Sequence, residues 1–384
     1  MRVLVVTTPG WGHIAPMLPV AEELQSRGHE VRWVTAADSA ATLAAKGFAV
    51  RPTGMTLAER APRARALLAE RGVGVPPGEM RAHAFTVHFA LLATPSTLEG
   101  VAAEVTTFRP DVIVREPAEL SAAMVGRREG LPVVTAGFGG IVPAAALRMA
   151  DEALASHLEP IGLAPGSEQL HFGDLYLHPM PASMDSEAPP AAVRRIRPPR
   201  APLGSEVPAV LAGFGADRPG VYGTFGTEFG VMAPWPELLE ALGTLDVDAL
   251  VTTGAAGLPD GATVPPNVRV APFVDQALVL DRSAVVVSHA GSGSLLGAAG
   301  AGVPQVCIPL GADQFENAAA AARRGIAVRV DPPDRRADVI ATAVSTAMTD
   351  EAIAAAAHAV AAEIRDSPDV TEAAGWIENL AASH

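Results

Sequence analysis

Short β-branched apolar runs alternate with helical patterns along most of the chain. Residues 3–7 (Val-Leu-Val-Val-Thr) form an unbroken run, the pattern of a strand buried on both faces. Residues 16–27 follow with helical spacing, Pro16 in the first turn and Gly28 past the end. A strand over 31–35, a short helix over 40–46 closed by Gly47, and a strand over 48–51 continue the pattern. Strand, helix, strand, helix, strand in this order predicts a parallel sheet. Two further buried strands are expected over 111–115 and 133–136, with a helix over 118–129 between them.

The stretch 194–208 carries Pro198, Pro199, Pro202 and Pro208 and breaks the alternation, so it reads as an interdomain linker. Its arginines, Arg194, Arg195, Arg197 and Arg200, fit a solvated basic linker better than a phosphate site. Beyond it the alternation restarts. Strands are expected over 221–225, 249–253, 268–271, 284–288, 305–309 and 327–330, with helices over 237–242, 292–301 and 317–324. Helical patterns over 337–362 and 370–382 finish the chain, with Pro368 between them. The expected fold class is α/β: two doubly wound halves, residues 1–197 and 209–365, joined by a linker at 198–208. The final helix, within 366–384, is expected to pack back on the first half.

Composition narrows the function classes. A chain of 384 residues suits two domains of about 150 to 200 residues each. Hydrophobic residues make up 49% and mean hydropathy is +0.26, enough to build two cores. The formal net charge of −14 argues against nucleic acid and anionic lipid as partners. The single cysteine, Cys307, excludes an internal disulfide and fits a reducing compartment. With neither a signal peptide nor a membrane span in the pattern, a cytoplasmic protein is expected. Lys46 is the only lysine, which points to a GC-rich coding sequence rather than to chemistry.

Three turns carry candidate chemistry, each at the carboxyl end of an expected strand, where open parallel sheets bind ligands. The first holds Gly10, Gly12 and His13 at a helix start, a position that disfavours imidazolium and suits a general base. A histidine that merely caps the turn fits the residues equally well. The second runs through Ser288, His289, Ala290, Gly291, Ser292, Gly293 and Ser294 into a helix. Free backbone N–H groups there suit an anion such as a diphosphate, and hydroxyls and His289 add donors. No lysine follows the glycines, so it is not a Walker A loop, and neither glycine turn completes a dinucleotide fingerprint. The third delivers Asp313 and Gln314 to the same edge. A carboxylate beside an amide grips vicinal hydroxyls, and a helix cap before Asn317 is the plainer use.

Taken together, these turns resemble the GT-B glycosyltransferases, specifically the bacterial enzymes that glycosylate macrolides, enediynes and other polyketides. The resemblance rests on residues 12–16 near the start, 221–227 opening the second half, and the stretch from Phe273 to Asn317, in order over nearly the whole chain. It implies two facing Rossmann-like domains with a cleft between them, the first for the acceptor and the second for a nucleotide-sugar. It implies an inverting, metal-independent hexosyl transfer from a TDP- or UDP-linked sugar to a hydrophobic natural-product acceptor, as in antibiotic biosynthesis. The nucleotide-sugar is a co-substrate, and no resident cofactor is implied. By position, His13 is the base. His289 and the turn Gly291, Ser292, Gly293 and Ser294 hold the diphosphate, with Thr227 reaching it from the first strand of the second half. Asp313 and Gln314 hold the sugar. Phe273 and Val274 fall where relatives carry Trp-x-Pro-Gln, so Phe273 stacks on the base and Gln276 contacts base or ribose. Asp275 departs from that pattern.

A base of this kind takes a carboxylate partner. Asp111 starts its strand at the wrong edge, whereas Glu116 follows it on the rim of His13, so Glu116 is the expected partner and Glu119 the fallback. The acceptor site is expected among residues 60–92 (with Met80, His83, Phe85, His88 and Phe89) and two irregular apolar segments, 137–149 and 170–180. His83, His88, His171 and His178 read as structural. A homodimer is the one protein partner allowed for. A nucleotide-sugar epimerase on the same scaffold, a non-catalytic auxiliary protein and an NAD-linked oxidoreductase are the competing readings.

Overall fold

The computed structural model describes residues 1–72, 74–75, 79–185, 189–198, 207–227 and 229–384. The chain forms two compact units, Met1–Pro179 with Pro189–Pro199 and Pro368–His384, and Met180–Ala188 with Arg200–Ser367.

In the first unit β1 (Arg2–Val6), β2 (Glu30–Thr35), β3 (Ala49–Pro52), β4 (Val112–Arg115), β5 (Val133–Ala136), β6 (Leu175–His178) and β7 (Val193–Arg195) make one sheet, ordered β3-β2-β1-β4-β5-β6-β7. Every described pairing is parallel. The period-2 alternation of strands splits β1 between two cores. Val3 and Val5 pack with Leu18, Leu24 and Trp33, whereas Leu4 and Val6 pack with Val101, Val105 and Leu154. Helices cover both faces, which is why the strands read as continuous apolar runs. The last helix, Val370–Ala382, buries Ala373, Ala374 and Ile377 in the first of these cores.

The second unit contains β8 (Gly220–Thr224), β9 (Asp248–Thr252), β10 (Val268–Ala271), β11 (Val285–Ser288), β12 (Gln305–Cys307) and β13 (Ala327–Arg329), ordered β10-β9-β8-β11-β12-β13 and parallel throughout. In both sheets the first strand lies between the second and the fourth. Strand order therefore reverses between β1 and β4 and again between β8 and β11. Such reversals open a crevice at the strands' carboxyl ends, the usual ligand position in doubly wound folds.

Several expectations need correction. The chain is helical from Trp11, through the short helix Trp11–Ile14 and a 3-10 turn at Ala15–Met17, before Leu18–Ser26 begins. Pro16 and Pro19 sit in first turns, where a missing N–H costs nothing. The single helix expected over 337–362 is two, Ala337–Thr349 and Glu351–Asp366, bent by 68°. The Asp350 side chain caps the second, accepting from Ala352 N at 2.8 Å. Residues 137–149 and 170–180 are regular in part: Ala144–Leu158 and Glu168–Phe172 are helices, and Leu175–His178 is β6. Arg194 and Arg195 belong to β7 rather than to a linker, and the Arg194 guanidinium lies over Trp376 at 5.1 Å. Most of the expected linker at 198–208 falls outside the described residues. Met180 and Met184 belong to the second unit's core, beside Ala320 and Val360. Among the described residues no single helix is long and apolar enough to cross a membrane.

Candidate active site

The reversal between β1 and β4 brings together the two residues that follow these strands. Gly10, with φ 118°, turns the chain into helix Trp11–Ile14 and presents His13. His13 Nδ1 lies 3.3 Å from Glu116 Oε1, within ion-pair reach but outside hydrogen-bond geometry. That nitrogen is buried, while the His13 side chain as a whole remains 22% exposed. Phe89 and Phe138 flank the ring, with centroids 5.6 Å and 5.4 Å away.

Glu116 is fully buried and well held. Its Oε1 accepts from Thr8 Oγ1 at 2.9 Å and Thr8 N at 3.3 Å, and its Oε2 from Ala118 N at 2.6 Å. Burial pushes its carboxyl upward, but the adjacent His13 and these donors outweigh that and hold it below the usual carboxylate value. Glu119 has the opposite fate. Burial dominates and raises its carboxyl, and its partners are Ser121 and Ala122 N rather than His13. Arg115, also fully buried, staples the loop between them. Its Nη1 donates to the Glu119 carbonyl at 3.0 Å, and its Nη2 to the Leu170 and His171 carbonyls, both at 2.7 Å. Asp111 accepts from Arg2 N at the opposite edge of the sheet.

In the second unit the reversal lies between β8 and β11, and the turns that follow carry Thr227 and His289. Thr227 is exposed. His289 is 7% exposed and wedged between glycines: a Cβ at Gly226 would stand 3.0 Å from its ring and one at Gly291 2.3 Å. Burial pushes its imidazole down to about 4, against the opposing pulls of Asp313 and the Thr224 carbonyl. A neutral ring therefore stands here at neutral pH, stacked on Phe229 at 6.0 Å. Helix Ser292–Ala301 starts beside it with Gly291 at the N-cap and no side-chain cap. Its first N–H groups, including those of Ser292 and Gly293, are the orphan donors of a helix start. The Gly293 position has open space around it, and Ser294 follows in the same turn.

Asp313 and Gln314 meet this turn. Asp313 Oδ2 accepts from Ser292 Oγ at 2.7 Å and from Asn317 Nδ2 at 2.9 Å. Gln314 is 1% exposed, and its Oε1 accepts from Leu310 N and Gly311 N. Phe273 is 72% exposed, whereas Val274 is buried and faces the core with Leu280 and Val303. Asp275 caps the short helix Gln276–Leu280 by accepting from Ala277 N. Gln276 Nε2 donates to the Ser294 carbonyl at 3.4 Å, tying that helix to the next. Among the described residues no cluster of three His, Cys, Asp or Glu side chains is arranged to hold a metal.

Comparison with known proteins fixes the family. The family model for the erythromycin biosynthesis protein CIII-like C-terminal domain matches residues 236–380. The elloramycin glycosyltransferase of Streptomyces olivaceus is 31% identical over 400 residues, covering 96% of this chain and 94% of that protein. The chain belongs to the natural-product glycosyltransferases. Among solved structures, the spinosyn rhamnosyltransferase SpnG aligns with a TM-score of 0.83 at 24% identity, over 99% of this chain and 100% of that one. The glycosyltransferase VinC in complex with dTDP aligns at 0.80 and 23%, over 100% of both chains. The fold is that of the GT-B glycosyltransferases, and these relatives favour neither the epimerase nor the oxidoreductase nor the auxiliary reading.

In this glycosyltransferase the structure adds contacts that the motifs did not show. Thr8 holds Glu116, Phe89 and Phe138 wall His13, and Asn317 joins Asp313 to Ser292 and the Ala290 carbonyl. Asn317 had a legible signal, since it lies one helical turn after Asp313. Phe89 and Phe138 fall in stretches expected to line the acceptor site, but only the sheet order brings the loops of Phe138 and Thr8 to His13 and Glu116.

Proposed function

We propose that the enzyme moves a sugar from a thymidine-diphosphate donor to a hydroxyl of an apolar natural-product acceptor, inverting the anomeric centre. The observation that carries this reading is the His13–Glu116 contact at the first unit's strand reversal. Nδ1 faces the carboxylate, so the other ring nitrogen, Nε2, takes the acceptor's proton. The freed oxygen forms a bond to the anomeric carbon as the bond from that carbon to the diphosphate oxygen breaks. Glu116 stabilises the imidazolium that results and fixes the ring's orientation.

The departing diphosphate gains charge. The start of helix Ser292–Ala301, with Thr227 and His289, meets that charge with protein donors and without a metal ion. His289 stays neutral and acts as a shaped dipole, not as a cation. Asp313 accepts from sugar hydroxyls and Gln314 offers its Nε2, since its Oε1 is committed to the backbone. The exposed Phe273 ring stacks on the base, with Gln276 beside it. Thymidine is preferred as carrier because VinC was solved with dTDP. The buried, reduced Cys307 fits action in the cytoplasm.

His13→Ala should lower kcat/KM for transfer by about 10²- to 10⁴-fold, the usual share of a general base. Calorimetric binding of dTDP should be unchanged, because its proposed site belongs to the other unit. Transfer at the native rate by this variant rejects His13 as the base.

A further inference from the structure

Arg60 is a buried cation beside the proposed acceptor site, and among the described residues it has no carboxylate or carbonyl partner. It lies in helix Leu57–Arg71, whose start is locked by the Thr56–Glu59 capping box and by Asp38 accepting from Leu57 N. Arg60 is only 5% exposed, and Ala64, one turn on, is buried on the same face. No described residue forms an ion pair or hydrogen bond with its guanidinium, and Nη1 is sealed from solvent unpaired. The guanidinium lies over the Phe89 ring at 5.5 Å, and the same ring stands 5.6 Å from His13. Such a placement is costly twice over. A desolvated charge wants a partner, and a cation in the first turn opposes the helix dipole. Glu116 and Asp38 pull its pKa upward, yet burial dominates and lowers it. His88 nearby offers no counter-charge, and burial together with Arg60 keeps its imidazole below the ordinary value.

The geometry points to Arg60 as the receptor for an anionic oxygen on the acceptor, a carboxylate or an ionised phenol or enol, held across the Phe89 ring from the hydroxyl that His13 deprotonates. The inference rests on reading the surroundings of His13 as the acceptor site. A planar fork with unused donors suits such an oxygen, and ligand binding would supply the partner that the described residues do not. Phe85, 5.1 Å from Phe89, and Phe138 extend the aromatic wall, so a flat acceptor is favoured.

The test uses the full chain and two fluorescent probes, 6-hydroxy-2-naphthoate and 2-naphthol, with dTDP binding measured calorimetrically on the same samples. The wild type should bind the naphthoate about ten-fold or more tightly than the naphthol, as for a charged hydrogen bond. Arg60→Met should erase that preference while keeping the naphthol affinity, and Arg60→Lys should retain part of it. Arg60→Met should also melt no lower than the wild type, because it removes an unpaired buried charge. Equal affinities in the wild type, no naphthoate binding, a preference that survives Arg60→Met, or a lowered Tm in that variant would each overturn the inference. Loss of dTDP binding by the wild type rejects the proposed function itself. Retained dTDP binding with equal probe affinities rejects only the role of Arg60.

Discussion

Glu116 and Glu119 stand three residues apart in one loop, and their environments separate them. Both are sealed from solvent, but Glu116 collects Thr8, Ala118 and His13, whereas Glu119 is held up by burial against Ser121. Position along the strand was enough to favour Glu116 over Asp111. Only the contacts show that Glu116, and not Glu119, stands beside His13. His289 makes a testable case at the same scale. Its folded pKa of about 4 lies below the ordinary 6.5, so the unfolded chain takes up the proton first. Stability is therefore full above pH 6.5 and falls as the pH drops from there toward 4. Between pH 7 and pH 5 this one group should cost about 2 kcal/mol. Urea midpoints at the two pH values should differ by correspondingly less in His289→Asn than in the wild type.

At the scale of elements, the turns beside His289 and Asp313 carry strain. Ala290 (φ 61°) and Ala312 (φ 50°) are two of the three described non-glycine residues in left-handed conformation, and they flank His289 and Asp313. Such a residue costs about 1–2 kcal/mol. Ala312 is exposed, so Ala312→Gly removes strain without losing burial and should raise stability by about 1 kcal/mol, read as a higher urea midpoint. Ala290→Gly should gain less, because it also gives up a fully buried methyl worth about 0.8 kcal/mol. The break at Asp350 escaped the periodic reading because apolar spacing runs on through both helices. The cap is a local hydrogen bond that competes with the helix rather than a change in hydrophobic pattern. The three-residue β7 escaped it too, since so short an edge strand carries little alternation.

At the scale of the whole molecule, the first unit is completed by the far end of the chain. Ile377 is fully buried against the core that holds Val3, Leu18 and Trp33, and Glu378 receives Arg27 and His29. Ile377→Ala should cost about 2–5 kcal/mol of stability, seen as a lower Tm, with dTDP affinity little changed because helix Val370–Ala382 belongs to the first unit. The sequence alone determined that two parallel α/β sheets would form, because buried strands flanked by helices must be apolar on both faces and must end in turns. It also placed His13, Glu116, His289 and Asp313 at strand ends, since a residue's place along its own strand is a local property. Which strand ends meet was decided only by the tertiary structure. The order β3-β2-β1-β4 sets Glu116 against His13 across 103 positions of chain, and the packing of helix Leu57–Arg71 against the helical turn Thr86–Ala93 sets Arg60 over Phe89. Sheet order and the meeting of particular side chains arise from packing between segments far apart in the chain, and neither leaves a periodic trace within any one of them.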